Sequence, residues 1–486
     1  VSSPDLPPLS MTRVQESVRD ELARMAEVLD PLGELFAGAG HELALVGGPV
    51  RDAMLERPHQ DLDFATSARP EETERLLRGW GDAVWDVGRA WGTIGCRKGP
   101  WQVEVTTYRS EEYDPTSRKP TVEYGDTLAG DLGRRDFTVN AMAVRVPGNV
   151  VEDPFGGIVD LAHRVLRTPG RPEDSFSDDP LRMMRAARFA AQLGFTVDPA
   201  VVEAMTAMAD RIDIISAERV RDELVKLVSA PYPRRGLTLL VETGLAERVL
   251  PELPALRLER DEHHRHKDVY EHTLTVLEQS IDLEQARHPG TPPDFVGRFA
   301  ALMHDVGKPK TRRLLDDGSV TFHHHDVVGA KLTAKRMRAL KFSNDDVAAV
   351  SRLVELHLRF HGYGSGQWTD SAVRRYVRDA GEQLERLHIL TRADSTTRNR
   401  RKAEALRRTY DDLEARIGRL AEEEELASMR PDLDGNQIME ALGIGPGREV
   451  GEAYRFLLDL RMDEGPLGED VARERLRAWW AERERS

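Results

Sequence analysis

Asp61 and Asp63 stand one residue apart, a short way downstream of the glycine pair Gly47-Gly48 and of Arg51. Alternate residues of a strand point to one face, so the carboxylates of Asp61-Leu62-Asp63 share a side. Such a pair can hold two Mg2+ ions, one activating a hydroxyl and one neutralising charge on a departing pyrophosphate. The Gly-Gly turn lets the backbone approach a triphosphate, and the following helix offers its free N–H groups to the anion. Arg51 adds a charge-assisted donor. Either motif alone suits a solvated turn equally well; their order and spacing favour the phosphate chemistry. Glu104, on the strand-like Trp101–Thr107, is either a third metal carboxylate or a half-buried structural acid.

The elements that must position these residues differ along the chain. Residues 12–37 read as a helix leading into a first strand. From 41 to about 165, short runs such as LALVGG, DLDFAT, WGTIGCR, WQVEVTTYR and VVEDPFGG carry β-branched and aromatic residues between Gly, Pro and Asp, the pattern of strands and turns. From Asp178 the chain turns to Ala, Leu, Met and Arg, uninterrupted by Gly until Gly194, and helical patterning holds to the end. This predicts an α+β protein, with a small α/β head followed by a long, mostly helical body, and not an alternating doubly wound sheet. Residues 251–268 read as a joint and the segment after 395 as a charged helical tail.

The 486 residues suit two to four domains. Nothing approaches the run of about 20 apolar residues that a spanning helix needs, and the N-terminal residues lack a signal-peptide core. Cys96 is the single cysteine, which excludes an intramolecular disulfide and predicts a cytoplasmic protein. The net charge of −15 speaks against a broad nucleic-acid footprint, so RNA binding has to rest on local segments.

Gly47-Gly48-Pro49-Val50-Arg51-Asp52 followed by Asp61-Leu62-Asp63-Phe64 resembles the signature of the class II nucleotidyltransferases, the family of CCA-adding enzymes and bacterial poly(A) polymerases. Later blocks resemble that family in order: Arg134-Arg135-Asp136-Phe137-Thr138-Val139-Asn140-Ala141, Asp153-Pro154-Phe155-Gly156-Gly157, Asp178-Asp179-Pro180-Leu181-Arg182-Met183-Met184-Arg185 and Glu218-Arg219-Val220-Arg221-Asp222-Glu223-Leu224. The resemblance implies an elongated head, neck, body and tail, with Asp61 and Asp63 as catalytic Mg2+ ligands. It implies that Gly48, Arg51 and Arg135 contact the incoming nucleotide. Asp179 and Arg182 would read the base edge, and Arg185 and Arg188 would reach the triphosphate. A carboxylate accepts from the exocyclic amine shared by C and A, and a guanidinium donates to ring acceptors. Arg182, Arg185 and Arg188, three apart, would form a basic ridge, unless they pair with neighbouring acids. Asp178 stands where the family has glutamate. The polar segment 106–120 reads as a loop and resembles the flexible loop of CCA-adding enzymes. The implied activity is addition of CCA from CTP and ATP to tRNA 3′ ends; poly(A), A-only and CC-only addition are the family's alternatives.

Downstream come His272, His304-Asp305-Val306-Gly307-Lys308, His323-His324-His325, His357 and Asp394. Adjacent His-Asp between helices, with a His before and an Asp after, resembles the HD phosphohydrolase domain. That resemblance implies a divalent transition metal or Mg2+ held by His272, His304, Asp305 and Asp394, with His325 and His357 available to a second ion. Repair of a 2′,3′-cyclic phosphate or 3′-phosphate on RNA is the activity this suggests. A protein with HD phosphohydrolase activity and a non-catalytic RNA-binding head is the rival reading. His263, His264, His266, His323 and His324 read as exposed joint residues.

Arg398, Arg400, Arg401, Lys402, Arg407 and Arg408 form the densest basic stretch, either a solvated face or a contact to the acceptor arm of tRNA. The Gly-rich 442–447 reads as a turn between helices. The expected organisation is a lead-in and helix (1–40), nucleotidyltransferase head (41–165), helical neck (166–258), HD domain (259–395) and RNA-binding tail (396–486). No membrane and no obligate protein partner is expected.

Overall fold

Strand β2 (Asp61–Thr66) alternates exposed Asp61 and Asp63 with buried Leu62 and Phe64, so its apolar side chains seat a sheet whose other face carries the acids. A computed structural model of the chain describes residues 8–57, 60–112, 121–125, 127–257, 268–316, 320–360, 363, 368–395, 400–428, 430–464 and 467–483. Beside β2 lie β1 (Leu43–Val46), β3 (Ala83–Trp85), β4 (Thr93–Lys98) and β5 (Trp101–Thr107). After β6 (Arg109–Glu112) and β7 (Thr121–Tyr124) come β8 (Ala143–Val146) and β9 (Val150–Glu152). Seven of these form one sheet in the order β3-β4-β5-β2-β1-β8-β9. Within this sheet only β2 and β5 pair in parallel, with Asp61 opposite Gln102 and Asp63 opposite Glu104. A mixed sheet with one parallel pair belongs to an α+β head and not to a doubly wound fold.

Segment 106–120 departs from the expected loop. Thr106 and Thr107 continue β5, and β6 and β7 pair antiparallel from Arg109↔Tyr124 to Glu112↔Thr121. The β-branched and aromatic residues of 121–124 favour that ladder over a loop; residues 113–120 lie outside the described residues.

Beyond the sheet the chain is mostly helical. Helix Leu181–Leu193 stops at Gly194, whose φ of +71° is a left-handed cap. Two compact units emerge: one comprises the chain to Phe360 together with Glu382–Arg398, and the other His361–Gly381 with Asn399–Ser486. The second unit has a small core of its own, where Leu433, Ile438, Ala453, Leu457, Ala472 and Leu476 pack. Its helices Gly435–Leu442 and Arg448–Glu464 are joined by the Gly-rich turn. No described helix is long and apolar enough to cross a membrane.

Candidate active site and metal centre

Asp61, Asp63 and Glu104 share the open face of the sheet, by strand alternation in β2 and by β2–β5 register. Burial and the charges of Asp63 and Asp61 raise the pKa of Glu104 above the ordinary carboxylate value, as expected of like charges at one site. Three carboxylates on one face suit a divalent cation. One register step beyond Leu45↔Phe64, β1 leaves the sheet beside Asp63 through Gly47. There φ is +72° and ψ −129°, a region closed to side chains. A Cβ on Gly47 would also stand 2.6 Å from Arg135, so the turn and Arg135 lie in direct contact. Gly48 begins the next helix.

The arginines behind this turn are braced by acids instead of forming a bare basic ridge. Arg51 donates to Asp52 at 2.9 and 2.8 Å and to the Asn140 side-chain oxygen at 2.6 Å. Asn140 donates to Asp136 at 2.9 Å, and Arg185 donates to the other Asp136 oxygen at 2.7 Å. Arg188 forms an ion pair with Glu223 at 2.6 Å. The guanidinium groups of Arg51, Arg185 and Arg188 all lie over the Phe189 ring, 5.2, 5.5 and 4.0 Å from its centre. Guanidinium groups this deep need partners, which is why the ridge is paired. Burial opposes the charge of Asp136, yet Arg185 and Asn140 outweigh it and hold the carboxyl at about 2.

Asp179 accepts the Leu181 N–H on one oxygen at 3.0 Å and Arg219 on the other at 2.8 Å. Arg182 donates to the Ser175 hydroxyl at 2.9 Å and the Arg134 carbonyl at 2.6 Å. Arg135 donates to Asp131 at 3.2 Å. The contacts thus chain Gly48, Arg51, Arg135, Asp179, Arg182, Arg185 and Arg188 into one region of the first unit. Sequence reasoning gave no role to Asn140, Phe189, Arg219 or Glu223. All but Phe189 lie inside blocks that the resemblance had marked; Phe189 showed only as one more apolar residue of a helix.

The histidines form a second centre. His304, His325 and His357 each direct Nδ1 at the carbonyl three residues earlier, those of Ala301, Phe322 and Val354, at 2.8, 2.7 and 2.6 Å. The N–H then sits on Nδ1, which leaves every Nε2 as the atom that faces the carboxylates and a cation. The Nε2 atom of His357 is buried with no hydrogen-bond partner among the described residues, as a metal ligand would be. His272, His304 and Asp394 offer atoms within 4.8 Å of one another, and so do Asp305, His325 and His357. Asp305 faces both groups, with one oxygen 3.3 Å from His304 and 3.7 Å from His272 and the other 3.4 Å from His325. Lys308 caps Asp305 at 2.6 Å. Burial disfavours charge on His304, but Asp305 and Asp394 lift its pKa to about 10; burial and facing His304 push His357 down to about 4. The donor set and the orphaned nitrogen of His357 fit one or two divalent cations. His323 and His324 are exposed, while His263, His264 and His266 lie outside the described residues.

In the second unit Arg401, Arg407 and Arg408 are exposed on helix Arg400–Ser428. Arg398 and the side chains of Arg400 and Lys402 lie outside the described residues.

Comparison with known proteins places these sites among relatives. The Poly A polymerase head domain matches residues 43–167, the probable RNA and SrmB-binding site of polymerase A matches 194–256, and the HD domain matches 269–399. The A-adding tRNA nucleotidyltransferase of Deinococcus radiodurans is 36% identical over 448 residues, which are 90% of this chain and 95% of that protein. The CCA-adding enzyme of Levilactobacillus brevis is 41% identical over 227 residues, 46% of this chain and 56% of that one. Among solved structures, the Bacillus stearothermophilus CCA-adding enzyme in complex with CTP is 27% identical with a TM-score of 0.53, covering 95% of this chain and 98% of that one. The Thermotoga maritima CCA-adding enzyme complexed with tRNA, 17% identical, shares the fold at a TM-score of 0.58 over 96% of this chain and 98% of that one.

Proposed function

Because this chain belongs to the family of tRNA nucleotidyltransferases and poly(A) polymerases, we propose that it extends tRNA 3′ ends without a template, adding CCA from CTP and ATP. The observation that carries this reading is the row Asp61, Asp63 and Glu104 on one sheet face beside the Gly47–Gly48 turn. Asp61 and Asp63 would hold Mg2+, which would supply activation of the RNA 3′-hydroxyl and neutralise charge on the leaving pyrophosphate. The turn and the helix after it receive the triphosphate, Arg51, Arg135, Arg185 and Arg188 line its path, and Asp179 with Arg182 meets the base edge. Fixing hydroxyl and α-phosphate in line is the main contribution of such a site.

A second reading, addition of the terminal A alone, is favoured by one observation: a relative 36% identical and matched over 95% of its length is an A-adding enzyme. One assay decides between the two. Labelled CTP and ATP, singly and together, are supplied to a tRNA lacking its last three bases and to one ending in CC. CCA addition extends both, A-only addition extends the second alone, and no extension of either would remove the nucleotidyltransferase reading.

The two ligand groups around Asp305 support a further activity in the HD domain: removal of phosphate from a 2′,3′-cyclic or 3′-phosphate RNA end before extension. A divalent cation held by these groups would supply an activated water, and Lys308 orients Asp305. Purified protein with Ni2+, Mn2+ or Co2+ should release phosphate from such ends; none released would end this proposal. In the tail, Arg398, Arg400, Arg401, Lys402, Arg407 and Arg408 serve as contacts to the RNA backbone. The division at 40, 165, 258 and 395 into lead-in, head, neck, HD domain and tail is part of the same reading.

A further inference from the structure

The row that carries the carboxylates continues across the sheet beyond them. Asp63 on β2 stands opposite Glu104 on β5, Glu104 opposite Gly95 on β4, and Gly95 opposite Trp85 on β3. Residues paired across strands point to one face, so Trp85 shares the open face with Asp63 and Glu104. A Cβ on Gly95 would collide with Nε1, Cε2 and Cδ1 of Trp85, all within 2.9 Å of it. The indole therefore lies down on the strand at Gly95, the position between Trp85 and Glu104. Glycine inside a strand marks a close approach of this kind.

Trp85 is half-buried, so part of its ring stays open. The connection from β3 to β4 adds Val87 and Trp91, 89% and 47% exposed, at the same edge of the sheet. Large apolar side chains gathered beside an open site mark a surface that meets a ligand. The side on which they stand decides which ligand. The Gly47–Gly48 turn, which receives the triphosphate, follows β1 on one side of β2. Trp85 lies on the other side, beyond β5 and β4. In-line displacement sets the attacking hydroxyl opposite the leaving pyrophosphate, so the RNA end comes in over β5 and β4. Neighbouring strands lie about 4.8 Å apart, which puts Gly95 about 10 Å from Asp63. One nucleotide spans that distance from its 3′-hydroxyl to the far edge of its base.

We propose that Trp85 is the platform on which the 3′-terminal base of the RNA stacks, holding its hydroxyl over Asp61, Asp63 and Glu104. The inference rests on the function proposed above. Stacking suits this end of the reaction, because every base has a π-face whereas hydrogen bonds read one base. An RNA whose last base changes with each addition needs a hold that ignores base identity. The incoming nucleotide, which has to be selected, meets Asp179 and Arg182 instead. Gly95 lets the indole lie low and leaves the space above it to the base.

The test compares wild-type protein with W85F, which keeps an aromatic face, and W85L, which covers Gly95 without one. Each is assayed on an RNA that the wild type extends and on the same RNA with no base on its last nucleotide. W85L should raise the KM for the intact RNA about tenfold and leave the KM for the added nucleotide unchanged. In the wild type, loss of the terminal base should raise the KM by about the same factor. On the RNA without that base W85L should match the wild type, and W85F should stay close to the wild type on both RNAs. An equal rise on both RNAs in W85L would make Trp85 a cover for Gly95 and overturn the proposal. A rise for the nucleotide in place of the RNA would overturn it by setting the ring beside the other substrate, and so would unchanged constants in W85L. Wild-type protein that extends no RNA would remove the proposed function and this inference together.

Discussion

At the scale of single residues, environment separates acids that stand clear of the core from acids that must be held within it. Asp61 and Asp63 are exposed on their strand, so neither supports the core. Asp61→Ala and Asp63→Ala should each abolish nucleotide addition while leaving the Tm within about 2 °C of wild type, since surface changes of this kind stay near ±0.5 kcal/mol. Retained activity in either variant would contradict the metal assignment. Asp136 is the opposite case. It is buried, and its pKa falls from 3.8 to about 2 through Arg185 and Asn140. A depressed carboxyl stabilises the fold fully above its unfolded value near 3.8, and that stability is lost as pH falls through the folded value near 2. The contribution is about 2 kcal/mol. Urea unfolding between pH 6 and 2 should therefore show a steep acid limb in the wild type. Asp136→Asn should be less stable at pH 6 and flatter between pH 4 and 2; parallel curves would show that Asp136 is not the group being titrated.

At the scale of elements, what could be read from the sequence was local and what could not was pairing. The shared face of Asp61 and Asp63 follows from a period of two. The α+β order, the helix ending at Gly194 and the change of character near Asp178 follow from composition and from Gly placement. Glu104 stayed undecided because only the parallel pairing of β2 with β5 places it opposite Asp63, and register between strands far apart in sequence leaves no local trace. Arg219 escaped notice for a similar reason, its partner Asp179 lying forty residues away. The expected loop at 106–120 was misread where polar residues form the ladder of β6 and β7. Gly307 shows the same limit in the histidine centre. A Cβ there would stand 2.0 Å from the His325 carbonyl oxygen, so this glycine sets how closely the His304-Asp305 turn approaches helix His325–Ala339. Gly307→Ala should push the two apart, cost about 2 kcal/mol or more and weaken binding of Mn2+ or Ni2+ in calorimetry, with nucleotide addition retained. Metal affinity equal to wild type would show that the close approach does not set the ligand geometry.

At the scale of the molecule, a chain carrying −15 net charge is proposed to bind a polyanion, and the local field has to outweigh the total. In the first unit the arginines near the nucleotide site are largely committed to acids such as Asp136 and Glu223, so they contribute little unpaired charge at long range. The exposed cations of helix Arg400–Ser428 are in a different position. Arg401 and Arg408 lie two turns apart on one face, and Glu404 pairs with Arg408 at 3.2 Å in a largely exposed contact. Such pairs are worth little and are readily exchanged for a phosphate. If this face carries the RNA backbone, each lost contact removes a released counterion. The double change Arg401→Glu and Arg408→Glu should then weaken tRNA binding at every salt concentration and reduce the slope of log K against log salt by about 1.5. The rate of nucleotide addition at saturating tRNA should stay unchanged, because the double change acts on binding of the RNA backbone alone. A slope equal to wild type would place the RNA on another surface, and a loss of rate at saturation would mean that this helix acts on the chemistry and not on binding alone.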